Sequence, residues 1–333
     1  MLNKTNGTSM YRPLRSTLIA ILIGLVAPLS ASAAETGENA LKVYSYASQV
    51  NDVDSVNSHW FETEEGVVLI DAQRLLPEAE RALRHLRATT DKPVVAIVVS
   101  HAHTDHYGGL PVWLAAYPDA TVYTDETTLS SIKNDGRGFI EMRNERHGER
   151  FPTQAELNEA VAEAEIVKAG DRLEIGEQTL VFDVLGPSEA ESTVLVTIED
   201  ANVAFIGDLI NVGMPAVPFE NIDNWFEQLD GFDERFGTED RLHIGHGPSP
   251  VGIPEIGEQR RFLTALRDGV SEAIADDSVL DAAETDAIVF NLEAGWPFYE
   301  GVAGNTRQEV LGFAASRVAQ QLGATVSASA GND

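Results

Sequence analysis

The stretch VVSHAHTDHYGGL, residues 98–110, holds three of the chain's eight histidines: His101, His103 and His106. Asp105 stands among them. The run ahead of it, PVVAIVVS at 93–100, is continuously apolar, as expected of a strand covered on both faces. A buried strand that opens into clustered imidazoles and a carboxylate reads as a metal-binding loop. In an extended or tightly looped segment alternate side chains share a side. His101 and His103 then converge on one ion, and Asp105 and His106 are offset toward a second. Imidazole with carboxylate suits zinc, and also iron or manganese. The chain has no cysteine, so thiolate ligands, thiolate nucleophiles and disulfides are excluded.

Outward from this loop the chain alternates strand and helix signals. VNSHWFE and VVLID, at 56–62 and 67–71, read as a hairpin across the TEEG turn. Residues 77–89 carry Leu83 and Leu86 at helical spacing. GGLPVWLAAY starts a helix and ATVYT a strand. Strands resume at DRLEIG, QTLVFDVLG, STVLVTIED and VAFIGDLI, followed by a helix near 222–236 and the strand RLHIGHG. Residues 255–275 and 303–322 read as helices, the second with a stripe of Leu311, Ala315, Val318 and Leu322. Between them, residues 125–165 are polar and helix-prone. There Lys133, Arg137, Arg143, Arg146 and Arg150 outnumber Asp135, Glu141, Glu145 and Glu149, although the whole chain carries a formal charge of −30. This insert is either a solvated helical face or a lid whose arginines meet an anionic substrate group.

The N-terminus has a different plan. Lys4, Arg12 and Arg15 precede the apolar run LIAILIGLVAPL and the small-residue site ASA. That is the pattern of a signal peptide over 1–33, too short in its apolar run to span a bilayer. Its removal implies a periplasmic or secreted protein with no stable membrane anchor and a charge near −33. Met10 is an alternative start. So acidic a surface repels nucleic acid and anionic membranes and favours solubility in a salty medium. The expected partner is a small-molecule substrate.

His101-Ala-His103-Thr-Asp105-His106 after an apolar strand and the VVLID hairpin resembles the metallo-β-lactamase superfamily of metallohydrolases, over about residues 44–248. The resemblance implies an α+β, four-layer αββα sandwich with metals at one edge. It places the core at 34–250, with the insert at about 125–165, and C-terminal helices at 251–333 packing on the core. It implies two divalent ions. Asp208, in VAFIGDLI, corresponds to the carboxylate that bridges them. His246, in LHIGHGP, corresponds to the late histidine of the second ion, whereas His243 falls within the strand. Asp71 corresponds to the aspartate that supports the metal loop, although Ala72 and Gln73 replace the usual TG after it. The third ligand of the first ion departs from the pattern: GPSEAES places Glu189 where a histidine is usual. Alkylsulfatase-like members resemble this, and Glu191 is the weaker candidate.

The same resemblance implies hydrolysis by a metal-activated water, with Asp105 the catalytic residue that orients it while ligating the second ion. An ester or lactone is the expected substrate. The alternatives are an alkylsulfatase-like or β-lactam hydrolase, a mononuclear iron oxygenase, and a non-catalytic metal-binding protein. Phe219 is expected on the pocket wall, with GWPFYEG at 295–301 closing the other side. His59 could face the cleft. Tyr107, Trp113, Trp225 and Trp296 read as core or rim, and His85 as surface.

Overall fold

The computed structural model describes residues 41–48, 56–298, 301–302 and 305–327. Residues 1–33, expected from the sequence to be a signal peptide, lie outside the described residues. Among the described residues no helix is long and apolar enough to cross a membrane.

Two sheets form the centre. The first runs β1 (Val43–Ala47), β2 (Asn57–Glu62), β3 (Val67–Ile70), β4 (Val94–Val98), β5 (Thr121–Thr124) and β6 (Glu165–Ile166), in that spatial order. Its first pairings are antiparallel, and those from β3 onward are parallel. The second sheet has the order β11 (Arg241–His246), β10 (Val203–Asn211), β9 (Thr193–Ile198), β8 (Gln178–Leu185), β7 (Arg172–Ile175), with only β10 and β11 parallel.

Side-chain alternation then builds four layers. Phe61, Val68, Ile70, Ala96 and Val98 face inward and meet Phe182, Val194, Val196 and Phe205 of the second sheet. Their neighbours Trp60, Leu69 and Ile97 face outward, under α1 (Leu76–Arg87) and α3 (Leu110–Ala116). The outer face of the second sheet, with Leu195, Ala204, Ile206 and Ile244, is covered by α7 (Ile222–Arg235), α8 (Pro254–Ala273), α9 (Ala282–Gly295) and α10 (Arg307–Gln321). Both faces of both sheets are therefore apolar, which explains the unbroken apolar strands. The molecule is the expected α+β, αββα sandwich.

Residues 125–165 form α4 (Glu126–Asn134), α5 (Phe139–His147) and α6 (Gln154–Ala160). Ile132, Ile140, Phe151 and Leu157 are buried with Trp113 in the outer layer of the first sheet. The segment is thus half core, and its charged side faces out. Three local expectations need correction. Strand β1 was not anticipated, because its half-buried VYSYA lacks a clean alternation. Helix α9 was missed as well, since Ile288, Val289 and Leu292 are buried while Phe290 between them is 71% exposed. Leu322 does not join the stripe of α10; it lies past the helix and is exposed, and Ala314 and Ala319 take that face.

Candidate metal centre

The loop after β4 turns into α2 (Thr104–Tyr107), and His103 caps it with extended backbone. This brings His101, His103, Asp105 and His106 to one edge of the sandwich. Strand β10 delivers Asp208 to the same edge. Gly207 has a φ of 55°, and the pairing of β10 with β11 is irregular there. Strand β11 ends on His246. Its neighbour Gly245 is required by space, because a Cβ there would lie 1.9 Å from Asp208 Oδ1. Glu189 arrives from the turn between β8 and β9.

All seven expected side chains meet, in two groups. In the first, His101 Nε2 lies 3.0 Å from His103 Nδ1, 3.7 Å from Glu189 Oε2 and 3.7 Å from Asp208 Oδ2, and His103 Nδ1 lies 3.3 Å from Glu189 Oε1. In the second, His246 Nε2 lies 3.2 Å from Asp105 Oδ2, and His106 Nε2 lies 3.7 Å from it. Asp208 Oδ2 is 3.4 Å from His106 Nε2 and 3.1 Å from His246 Nε2, so one carboxylate oxygen borders both groups. Ligand atoms bonded at about 2.0–2.2 Å to a tetrahedral ion lie roughly 3.3–3.6 Å apart. The observed separations match that spacing. Two atoms that face the cluster, His106 Nε2 and Glu189 Oε2, are buried with no hydrogen-bond partner among the described residues. Close-packed acceptors without donors fit a cation.

The electrostatics agree. Burial pushes His246 down, but Asp208 and Asp105 overcome it and raise the ring to about 10. His106 is likewise raised well above its usual range against burial, by Asp208, Asp71 and Asp105. Burial pushes Asp208 up, yet His246, His106 and His101 hold it well below the usual carboxylate range. At Glu189 burial, helped by Asp208, outweighs His103 and raises the carboxyl. The carboxylates thus demand positive charge here, as protons or as a divalent cation that displaces them.

Asp71 holds the loop from behind, in a left-handed conformation with φ 60°. Its Oδ1 accepts the Ser100 N–H at 2.8 Å. Its Oδ2 accepts Ser100 Oγ–H and His106 Nδ1–H, each at 2.8 Å. Ser100 Oγ in turn lies 2.9 Å from His101 Nδ1. With Nδ1 protonated in both rings, one carboxylate presents an Nε2 lone pair to each group. Gln73, in the altered turn, donates to Val56 O and Ser58 Oγ and ties the loop to β2.

Arg74 was not anticipated. Its Nη2 lies 3.0 Å from Asp105 Oδ1, both side chains being buried. Asp105 therefore has only Oδ2 for an ion or for orienting a nucleophile. The signal was an arginine just past the Asp71 turn, with its partner in a distant motif.

The groups open on a cleft of 560 Å³. Its walls include Met142, Met214, Val217, Phe219, Val310 and Phe313, with Arg74 and Arg143 as cations. The Phe219 ring lies 4.8 Å from that of His103, as expected of a wall residue. Three other expectations fail. His59 does not face the cleft; it is 2% exposed between the sheets, accepting Ser45 Oγ–H at Nδ1 and donating Nε2–H to Ile244 O at 3.0 Å. Trp296 lines a neighbouring cavity, and α10 closes the cleft with Val310 and Phe313. Glu191 accepts from Ser131 and pairs with Arg137 at 3.0 Å, away from both groups. His243 stays within β11, His85 is exposed, and Tyr107, Trp113 and Trp225 are buried core.

Fold and cluster together define a divalent-metal protein of the αββα kind. The chain belongs to the metallo-beta-lactamase superfamily, whose model matches residues 51–220. It is 22% identical over 196 residues to metallo-beta-lactamase IND-1 of Chryseobacterium indologenes, covering 58% of this chain and 72% of that one. It is 28% identical over 79 residues to a linear primary-alkylsulfatase of Pseudomonas sp., covering 22% of this chain and only 15% of that protein's length. The crystal structure of metallo-beta-lactamase IND-7 shares the fold, with a TM-score of 0.53 at 21% identity over 68% of this chain and 94% of that one.

Proposed function

We propose that this chain is a metal-dependent hydrolase that holds two divalent ions, most simply zinc, and cleaves an ester- or lactone-type small molecule. The observation behind this reading is Asp208 Oδ2, which borders both ligand groups at the floor of a largely apolar cleft. His101, His103, Glu189 and Asp208 would hold the first ion, and Asp105, His106, His246 and Asp208 the second. When bound, such ions supply a water activated near neutral pH and polarise an electrophilic oxygen.

The chain supplies the rest. Asp71 and Ser100 fix the tautomers of His101 and His106. Arg74 fixes the rotamer of Asp105 through Oδ1. Met142, Val217, Phe219 and Phe313 hold an apolar acyl or alkyl body and exclude water. Export rests on the signal pattern of residues 1–33, and N-terminal sequencing of the mature protein tests it.

A second reading, a sulfate ester, is favoured by Glu189 in its carboxylate role and by Arg143 in the cleft. It also accords with the likeness to the alkylsulfatase. One panel tests both readings: p-nitrophenyl butyrate, γ-decalactone, decyl sulfate and nitrocefin with metal-loaded protein. Ester or lactone turnover that a chelator abolishes supports the first reading. Turnover of none of the four rejects hydrolysis, and sulfate release alone moves the assignment to the second. Elemental analysis should find near two ions per chain, falling toward one in Glu189→Ala.

A further inference from the structure

The chain has four methionines and no cysteine. Met1 and Met10 fall within residues 1–33, so Met142 and Met214 carry the only sulfur atoms of residues 34–333. Both line the metal cleft. They reach it from separate parts of the fold: Met142 stands on α5, and Met214 follows β10 in the segment that leads from Asp208 to Phe219. Met142 is 40% exposed, and Met214 is half-buried. Around them the cleft is apolar, with Phe139, Val217, Phe219, Val310 and Phe313. A thioether packs there as an aliphatic chain does. Its chemistry differs: the sulfur can take up an oxygen atom, and the resulting sulfoxide is polar.

We propose that Met142 and Met214 form a modification site for a hydroperoxide, whose product turns the apolar cleft polar and lowers its affinity for apolar ligands. The step balances with hydrogen peroxide alone. A lone pair of the thioether sulfur attacks one peroxide oxygen, the O–O bond breaks and an S–O bond forms. Sulfur is oxidised by two electrons and the peroxide is reduced. A proton passes to the leaving oxygen, which departs as water. Met142, the more exposed, reacts first. Each sulfoxide oxygen holds water, and an apolar ligand that lies on it strips that water without offering a donor in return. Methionine sulfoxide reductases return the thioether, so the change is reversible. The consequence for turnover rests on the hydrolase reading; the modification and its effect on binding do not.

The test uses full-length protein loaded with zinc, an ion with no redox chemistry of its own, and dilute hydrogen peroxide. Peptide mass spectrometry follows oxygen at Met142 and Met214. Calorimetry follows binding of decanol, which has no bond to hydrolyse. Met142 should gain oxygen first. Decanol affinity should fall about tenfold per sulfoxide, the cost of a polar group covered without a partner. Metal content should not change, and the two sulfoxide reductases together should restore binding. In a Met142→Leu, Met214→Leu double variant the ratio of affinities before and after peroxide should stay near one, whatever the starting affinity. Absence of decanol binding in untreated protein overturns the proposal. So does folded protein that gains no oxygen at either residue, oxidation that leaves affinity unchanged, or an equal loss in the double variant. Turnover of none of the four panel compounds, with decanol binding still lost to peroxide, would sink the hydrolase reading and leave the modification site standing.

Discussion

The molecule buries histidines in two places and treats them in opposite ways. At the metal edge, His106 and His246 sit among the carboxylates of Asp71, Asp105 and Asp208, and their rings are driven up, whereas His101 beside them is pushed well down by burial and then by His106. Between the sheets, His59 packs 5.0 Å from His243 and 5.8 Å from Phe205, and burial drives it down to about 4. His243 is likewise pushed well below its usual range, first by burial and then by His59. Depth is the same in both places. The neighbours decide the sign: carboxylates convert a buried imidazole into a cation site, and rings convert it into a neutral strut. The strut still serves the site, because His59 and Asn57 donate to Ile244 O and hold the end of β11 that carries His246.

The largest effect should come from removing the shared carboxylate. Asp208→Ala should lower metal affinity in both groups by more than about 100-fold, beyond what an outer partner costs. Elemental analysis after dialysis checks it, and retention of two ions would break the contrast between the two histidine sites.

The neutral strut makes an opposite prediction about acid. The His59 ring is held at about 4 in the folded chain, against 6.5 when free. The unfolded chain therefore takes up the proton first as pH falls. This contribution to stability is present above 6.5, shrinks through the window, and is lost below 4. Its full size is about 3 kcal/mol. Urea midpoints of wild type and His59→Gln, compared at both ends of that window, should diverge by an amount of this order. Parallel pH profiles would mean that the ring is not buried as a neutral group.

Smaller effects sharpen the metal side. Asp71→Asn should weaken metal binding about 10–100-fold, by loosening His106 and, through Ser100, His101. Arg74→Met should weaken metal binding at the Asp105–His106–His246 group about tenfold, because Asp105 loses the partner that fixes its rotamer through Oδ1. A competition titration with a coloured chelator reads both. Glu191→Gln should change neither metal content nor affinity, since Glu191 pairs with Arg137 instead.

Much of this was legible in the sequence, for identifiable reasons. The clustered side chains were, because such a loop concentrates rare residues after an apolar strand, and GPSEAES carries Glu189 to the cluster from the place where a histidine is usual. The side that His59 faces was also legible in principle. It shares strand parity with Phe61, whose ring lies in the core between the sheets, so it points inward. Helix α9 left a signal too: Asp281 and Glu284 form a capping box ahead of an apolar run that has no stripe. The Arg74–Asp105 pair left only an arginine just past the Asp71 turn, and the place of Trp296 left nothing, because each depends on how distant segments dock. Local pattern does not encode that.

Gly245 has a consequence for anyone who reshapes this protein by random mutagenesis. Its missing side chain is the space that Asp208 occupies. A library saturated at 245 and screened for metal should return glycine and nothing else, whereas one at Glu189 can return any side chain able to coordinate. The first position has no neighbouring solutions; the second is where a lineage can explore new chemistry without losing its fold.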